Sequence, residues 1–161
     1  MNSGTRRRSI LGGLLAMVLT TGTVTGHAAA DPAPVAAEKV RKVGRTTDQN
    51  LGTGGQCTYG AFAKFHRATG LWPLIRGDAA EWNESAARNG WSVVPKPQRR
   101  AVVVFERGVQ GASETYGHVA WVESVRGARI TITEMNGAAG EWGWSRRTVS
   151  HGQGMSYILA P

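Results

Sequence analysis

An α+β fold, helices first and a small antiparallel sheet after them, follows from two observations along the chain. Between Cys57 and Gly90 the apolar residues recur at helical spacing, while from Ala101 onward short β-branched runs alternate and are separated by glycine-containing loops. Runs of helices followed by runs of strands are the α+β order rather than an alternating parallel one. The chain shows no internal repeat.

The first helix begins at Cys57, directly after the turn Gly54-Gly55-Gln56, and carries Tyr59, Phe62, Ala63, Phe65 and His66 in register. It ends at Gly70, a residue suited to a left-handed helix terminus. Leu71-Trp72-Pro73-Leu74 is turn or extended, because the residue before proline avoids helical dihedrals. Asp78-Ala79-Ala80-Glu81 has the spacing of a capping box, and Ala79, Trp82 and Ala86 then share a helical face closed by Gly90. Ala101–Phe105 reads as a strand. Gly117 to Val125 and Arg129 to Asn136 read as a hairpin, and Met155 to Leu159 as a final strand. Trp142 and Trp144 fall in a glycine-rich loop.

The N-terminus reads as an export signal. Arg6-Arg7-Arg8 precedes an apolar run from Ile10 to Thr20, and His27-Ala28-Ala29-Ala30 offers a cleavage site before Asp31. The run is too short to span a bilayer, so a membrane-embedded mature form is not expected. Sec and twin-arginine export both fit. Residues 1–30 are therefore assigned to the signal, 31–50 to a linker or loosely ordered arm, and 51–161 to one domain. Loss of the signal removes three arginines and no acidic residue, so the formal charge falls from +8 to +5. A basic exported domain is drawn to anionic polymers such as those of a cell wall. Its charges are scattered rather than clustered, which argues against nucleic acid.

Cys57 is the one cysteine, so an exported chain cannot use it in an internal disulfide. Three uses remain: an inert buried thiol, an intermolecular bridge, or a nucleophile. Its place at a helix start, where unpaired N–H groups favour a negative sulfur, is one of the few that lower a thiol pKa. The hairpin supplies what such a thiol needs. With a three-residue loop, Arg126 to Ala128, Val125 pairs with Arg129 and His118 lies opposite Asn136, with Glu134 opposite Ala120. His118, Ala120, Val122 and Ser124 then share one face. A thiolate nucleophile needs an imidazole base, and the imidazole needs a third group to fix its orientation; Glu134 or Asn136 can serve. Backbone N–H groups at the helix start, with the Gln56 side chain as a second donor, could hold an oxyanion. Trp142 and Trp144 are candidates to line a substrate groove. His66 and His151 look like ordinary surface imidazoles. No spacing of His, Cys and Asp suggests a metal site, and no cofactor is expected.

Gly55-Gln56-Cys57-Thr58, Gly77-Asp78-Ala79-Ala80-x-Trp82, Tyr116-Gly117-His118-Val119-Ala120 and Glu134-Met135-Asn136 together closely resemble the CHAP domain. That family comprises papain-like cysteine amidases and endopeptidases of bacterial peptidoglycan. The resemblance covers about residues 50 to 160. It implies a papain-like fold, with Cys57 as nucleophile, His118 as general base, and Glu134 and Asn136 as polar partners of the histidine. It further implies a secreted, wall-associated hydrolase acting on peptidoglycan, or a non-catalytic wall-binding module on the same fold. Some relatives bind calcium through closely spaced aspartates before the cysteine; only Asp48 is present here, so calcium is not expected. Oligomeric state is not legible.

Overall fold

The computed structural model describes residues 40–161, and the expected signal, residues 1–30, lies outside them. Eight strands and two helices follow in the order β1 (Thr46–Thr47), α1 (Cys57–Thr69), β2 (Trp72–Pro73), α2 (Trp82–Arg88), β3 (Val93–Val94), β4 (Ala101–Phe105), β5 (His118–Arg126), β6 (Arg129–Met135), β7 (Trp144–Ser150) and β8 (Met155–Leu159). The last six form one antiparallel sheet in the order β3-β8-β4-β5-β6-β7. The fold is α+β, as the sequence pattern predicts.

Residues 40–50 are not a loose arm. Thr46 and Thr47 pair with Pro73 and Trp72, and the Arg41 guanidinium donates to the backbone oxygens of Arg99, Arg100 and Ala160. Polar, aperiodic sequence hides such a segment, because its order comes from hydrogen bonds to distant backbone rather than from a buried face.

The α1 helix runs as predicted and stops at Gly70, whose φ is 75° and whose N–H donates to the His66 carbonyl at 2.7 Å. Its Phe62 and Phe65 are fully buried, each contributing roughly 1.5–3 kcal/mol of hydrophobic stabilisation. Phe62 packs on Trp82 with ring centroids 4.4 Å apart, and Phe65 meets Trp91 and Trp121 edge-on at 5.3 and 6.4 Å. These rings join α1 and α2 to the face of the sheet that carries Val102, Val104, Val119 and Ile158. A second apolar cluster on the opposite face gathers Val103, Phe105, Ala120, Val122, Ile130, Ile132 and Tyr157.

Four local readings are corrected. The capping box at Asp78 does not form: Asp78 makes no side-chain cap bond, and Arg107 sits within 3.4 and 3.3 Å of the Asp78 and Glu81 carboxylates. The chain enters α2 through a tighter turn, Ala79–Glu81. The β5–β6 loop has two residues, not three, since Arg126 pairs with Arg129. A bulge at Glu123 then shifts the ladder, so that Trp121 pairs with Thr133. Beyond the bulge the register is the one expected, because the short turn and the extra residue cancel. Before it the faces are exchanged: Val125, not Ser124, packs with Val122. Finally, Trp144 opens a strand rather than lying in a loop. The β7 strand is exposed at most positions and shows no apolar alternation, so periodicity cannot reveal it.

Close approach of α1 to the sheet depends on Gly60. A Cβ there would stand 2.5 Å from the Met135 Cβ and 3.1 Å from the Trp144 ring. Alanine would gain about 1 kcal/mol in helix propensity, but the clash with a fixed strand atom is the larger effect. Gly60→Ala should therefore lower stability by about 1–3 kcal/mol in urea unfolding and move Cys57 off His118. An unchanged midpoint would mean that the helix has room to spare.

Candidate active site

The start of α1 carries no acidic residue in its first turn, and Gln56, at the N-cap position, makes no side-chain cap bond. The Gln56 side chain therefore leaves the first N–H groups of α1 uncapped, and the helix end is electropositive. Cys57 lies there, half-buried and outside any disulfide. Opposite it, β5 begins with His118, placed by Gly117. The φ of Gly117 is 71°, and a Cβ on it would collide with the Phe105 carbonyl and with Ala80. No other residue type fits both the angle and the space.

His118 Nε2–H donates to the Glu134 carboxylate at Oε2 over 3.0 Å, which leaves Nδ1 for the sulfur. The ring and the Cys57 sulfur line the same groove, and His118 is the main influence that lowers the thiol pKa. Glu134 is the most enclosed charged group of the site, its side chain 1% exposed. Its second oxygen, Oε1, accepts from Arg147 Nε at 2.9 Å and from Ser145 Oγ at 3.2 Å. Arg147 is a residue that periodicity does not single out. A signal was nevertheless present: a carboxylate buried in β6 demands a neutralising cation, and Arg146-Arg147 is the densest cationic pair downstream of it.

Three pKa values move together. Burial pushes the Cys57 thiol up, but the hydrogen bond and charge of His118, with backbone contributions from Val119 and Thr58, outweigh it and the net displacement is downward. Burial pulls His118 down, yet hydrogen bonds and charges from Cys57 and Glu134 raise it from 6.5 to about 9. Burial pushes Glu134 up, and His118 and Arg147 bring it down to about 2. These directions favour the thiolate–imidazolium form of the pair, with an ionised carboxylate behind the ring.

Asn136 does not reach the ring. Its φ is 52°, its Nδ2 donates to Gln56 Oε1, and its own N–H bonds the Gly143 carbonyl. The bond to Gln56 braces the carboxamide beside Cys57. Neither tryptophan lines the grooves at the sulfur. Trp142 is 59% exposed, edge-on to Tyr59 and against Gly54 and Gly55, while Trp144 lies under Lys64 beside Arg67. Two grooves do open at Cys57. One, of about 560 Å³, runs over Leu51, Phe62, Ile75, Arg76, Asp78 and Trp82. The other, of about 520 Å³, holds His118, Glu134, Asn136, Gln110 and Arg147. Gln56, Cys57 and Tyr116 border both. Among the described residues no group of three or more His, Cys, Asp and Glu side chains could hold a metal ion.

A cysteine at a helix start, an imidazole at the head of β5 and a carboxylate behind it have the arrangement of a papain-like cysteine site. The CHAP domain profile matches residues 46–136, and the chain belongs to that family. It is 32% identical over 157 residues to the staphylococcal secretory antigen SsaA of Staphylococcus epidermidis, covering 97% of this chain and 58% of that protein. It is 38% identical over 115 residues to the secretory antigen ssaA2 of Staphylococcus aureus, covering 71% of this chain and 40% of that protein. An N-acetylmuramoyl-L-alanine amidase from Staphylococcus aureus superposes with a TM-score of 0.59 at 34% identity, over 70% of this chain and 34% of that one. The chain thus spans little more than half the length of the relatives it matches, or less.

The pKa directions fix a pH profile. The midpoint of iodoacetamide alkylation of Cys57 against pH should lie below the ordinary thiol value of 9.0. His118→Ala removes the largest lowering partner, so its alkylation midpoint should rise above that of the intact protein. Identical midpoints for the two proteins would show that the sulfur and the ring are not coupled.

Proposed function

We propose that this domain hydrolyses an amide bond of bacterial peptidoglycan, as an N-acetylmuramoyl-L-alanine amidase or as an endopeptidase of the stem peptide or cross-bridge. The observation that carries the reading is Cys57 facing His118, with Glu134 held behind the ring. The thiolate adds to the carbonyl carbon, and the oxyanion is received by backbone N–H at the α1 start and by the Gln56 carboxamide. As the C–N bond breaks, the imidazolium gives its proton to the departing amine, leaving a thioester on Cys57. His118, now neutral, takes a proton from water as that water attacks the thioester, and the acid is released with the thiolate restored.

The same chemistry assigns the grooves. The amine must leave beside the group that protonates it, so the groove holding His118 receives the amine side. The groove over Phe62 and Trp82, which lacks His118, receives the acyl side. Export follows from the N-terminal pattern, and two relatives are named secretory antigens; a mature N-terminus at Asp31, read by mass spectrometry of culture supernatant, is the expected result. Wall association would rest on the basic surface, with anionic wall polymers as further partners. No helix among the described residues is long and apolar enough to cross a membrane.

Purified walls should release new amine and carboxyl ends with the intact protein, and Cys57→Ala should reduce the rate by at least about a thousandfold. Binding to walls with no released fragment from either protein would instead favour a wall-binding module on this fold. Mass spectrometry of the released fragments identifies the bond.

A further inference from the structure

We propose that Arg147 is a positioning residue for the His118–Glu134 pair, and that it ties this pair to the loop walling the amine-side groove. The sheet register brings it there. Ser145 stands directly opposite Glu134 in the β6–β7 ladder, and Arg147 stands opposite Ile132, two residues away on the same face. From that diagonal place Nε donates to Glu134 Oε1 at 2.9 Å and Nη1 donates to the Gln110 carbonyl at 2.9 Å.

The guanidinium is held on a third side as well. Its central carbon lies 5.7 Å from the Phe105 ring centre, and the other neighbour of that ring is His118, at 6.0 Å. A planar, permanently charged fork suits this place, since one nitrogen holds the carboxylate while another holds the loop. Gln110 itself has a φ of 55°, and its side chain donates to the Ser150 carbonyl at 3.0 Å. The loop conformation is strained and stapled to β7 at two points.

The consequence runs through Glu134. With Oε1 occupied by Arg147 and Ser145, only Oε2 remains for His118. Without the guanidinium, a carboxylate this enclosed would regain a higher pKa, hold His118 less firmly as an imidazolium, and weaken the thiolate at Cys57. The other ionisable groups around the site would not compensate. Asp78 is engaged by Arg107, Arg76 lies along the acyl-side groove, Tyr116 borders both grooves, and Glu141 rests against Gly55. Arg146 faces Glu123 instead.

The alkylation readout needs no wall substrate, so its failure is separable from failure of the proposed hydrolysis. Alkylation of Cys57 by iodoacetamide is followed against pH in the full chain, with thermal unfolding alongside, for Arg147→Met, Arg147→Lys and Arg146→Met. Arg147→Met should shift the alkylation midpoint upward by about one pH unit, some tenfold less alkylation at pH 6. Arg146→Met removes the same charge and should leave the midpoint in place. Arg147→Lys keeps the charge without the fork, so it should restore most of the midpoint while wall hydrolysis stays reduced. A folded Arg147→Met protein with the wild-type midpoint overturns the proposal. If that variant does not fold, an Arg147→Lys protein matching wild type in both midpoint and hydrolysis overturns it equally.

Discussion

Glu134 is a carboxylate kept out of water near the end of β6, one strand in from the edge of a six-stranded sheet, and much of the surrounding architecture follows from that. An ionised group so enclosed is tolerated only if charge and hydrogen bonds meet both oxygens. Here they come from both sides. The β5 strand brings His118 to one oxygen, and β7 brings Ser145 and Arg147 to the other. The strand order β5-β6-β7 is thus also the order base, carboxylate, cation. With Nε2 committed to Glu134, the opposite ring nitrogen faces α1, and the helix must approach closely enough for a thiol to meet it. The absence of a side chain at Gly60 permits that approach.

Two influences on the sulfur oppose one another. Burial alone would raise its pKa and leave an inert thiol. A helix start contributes about 0.3–1 kcal/mol towards the anion, which is small beside the cost of burying a charge. The imidazolium decides the outcome, by hydrogen bond and by charge. Its own charge depends on Glu134, and the ionisation of Glu134 depends on His118 and Arg147 together. A thiol at a helix start is therefore not a sufficient signal of a nucleophile. A thiol with a chain of charges behind it is a far stronger one.

The parts legible in the sequence are those that rest on local rules. Periodicity and Gly70 mark α1, β-branched runs mark β4 and β6, and alternation groups His118 with Glu134. The expected register was correct at the site and wrong at the turn, because a two-residue loop and the bulge at Glu123 offset each other. Neither has a distinct local signature: Gly127 suits several loop lengths, and a bulge is fixed by what the two strands pack against. What stayed hidden depends on partners far along the chain. The β7 strand is exposed at most positions with Val149 its one buried residue, the Asp78 and Glu81 carboxylates go to Arg107 rather than to helix N–H groups, and residues 40–50 are ordered by distant backbone.

Glu134 and Asn136 lie two residues apart, and simple alternation would aim both at His118. The backbone separates them. At Asn136 the chain turns into the left-handed region, with φ of 52°, and leaves the strand. Its carboxamide then reaches across to Gln56 at the mouth of α1, while Glu134 stays beneath the ring. Asn136 donates to the Gln56 oxygen, so the amide N–H groups of Gln56 are left to face the groove. The end of one strand thereby braces both flanks of the sulfur, the imidazole side through Glu134 and the carboxamide side through Asn136. A displacement of β6 relative to α1 would disturb both flanks together, which is why the packing of Gly60 on Met135 bears on the chemistry as directly as the charged groups do.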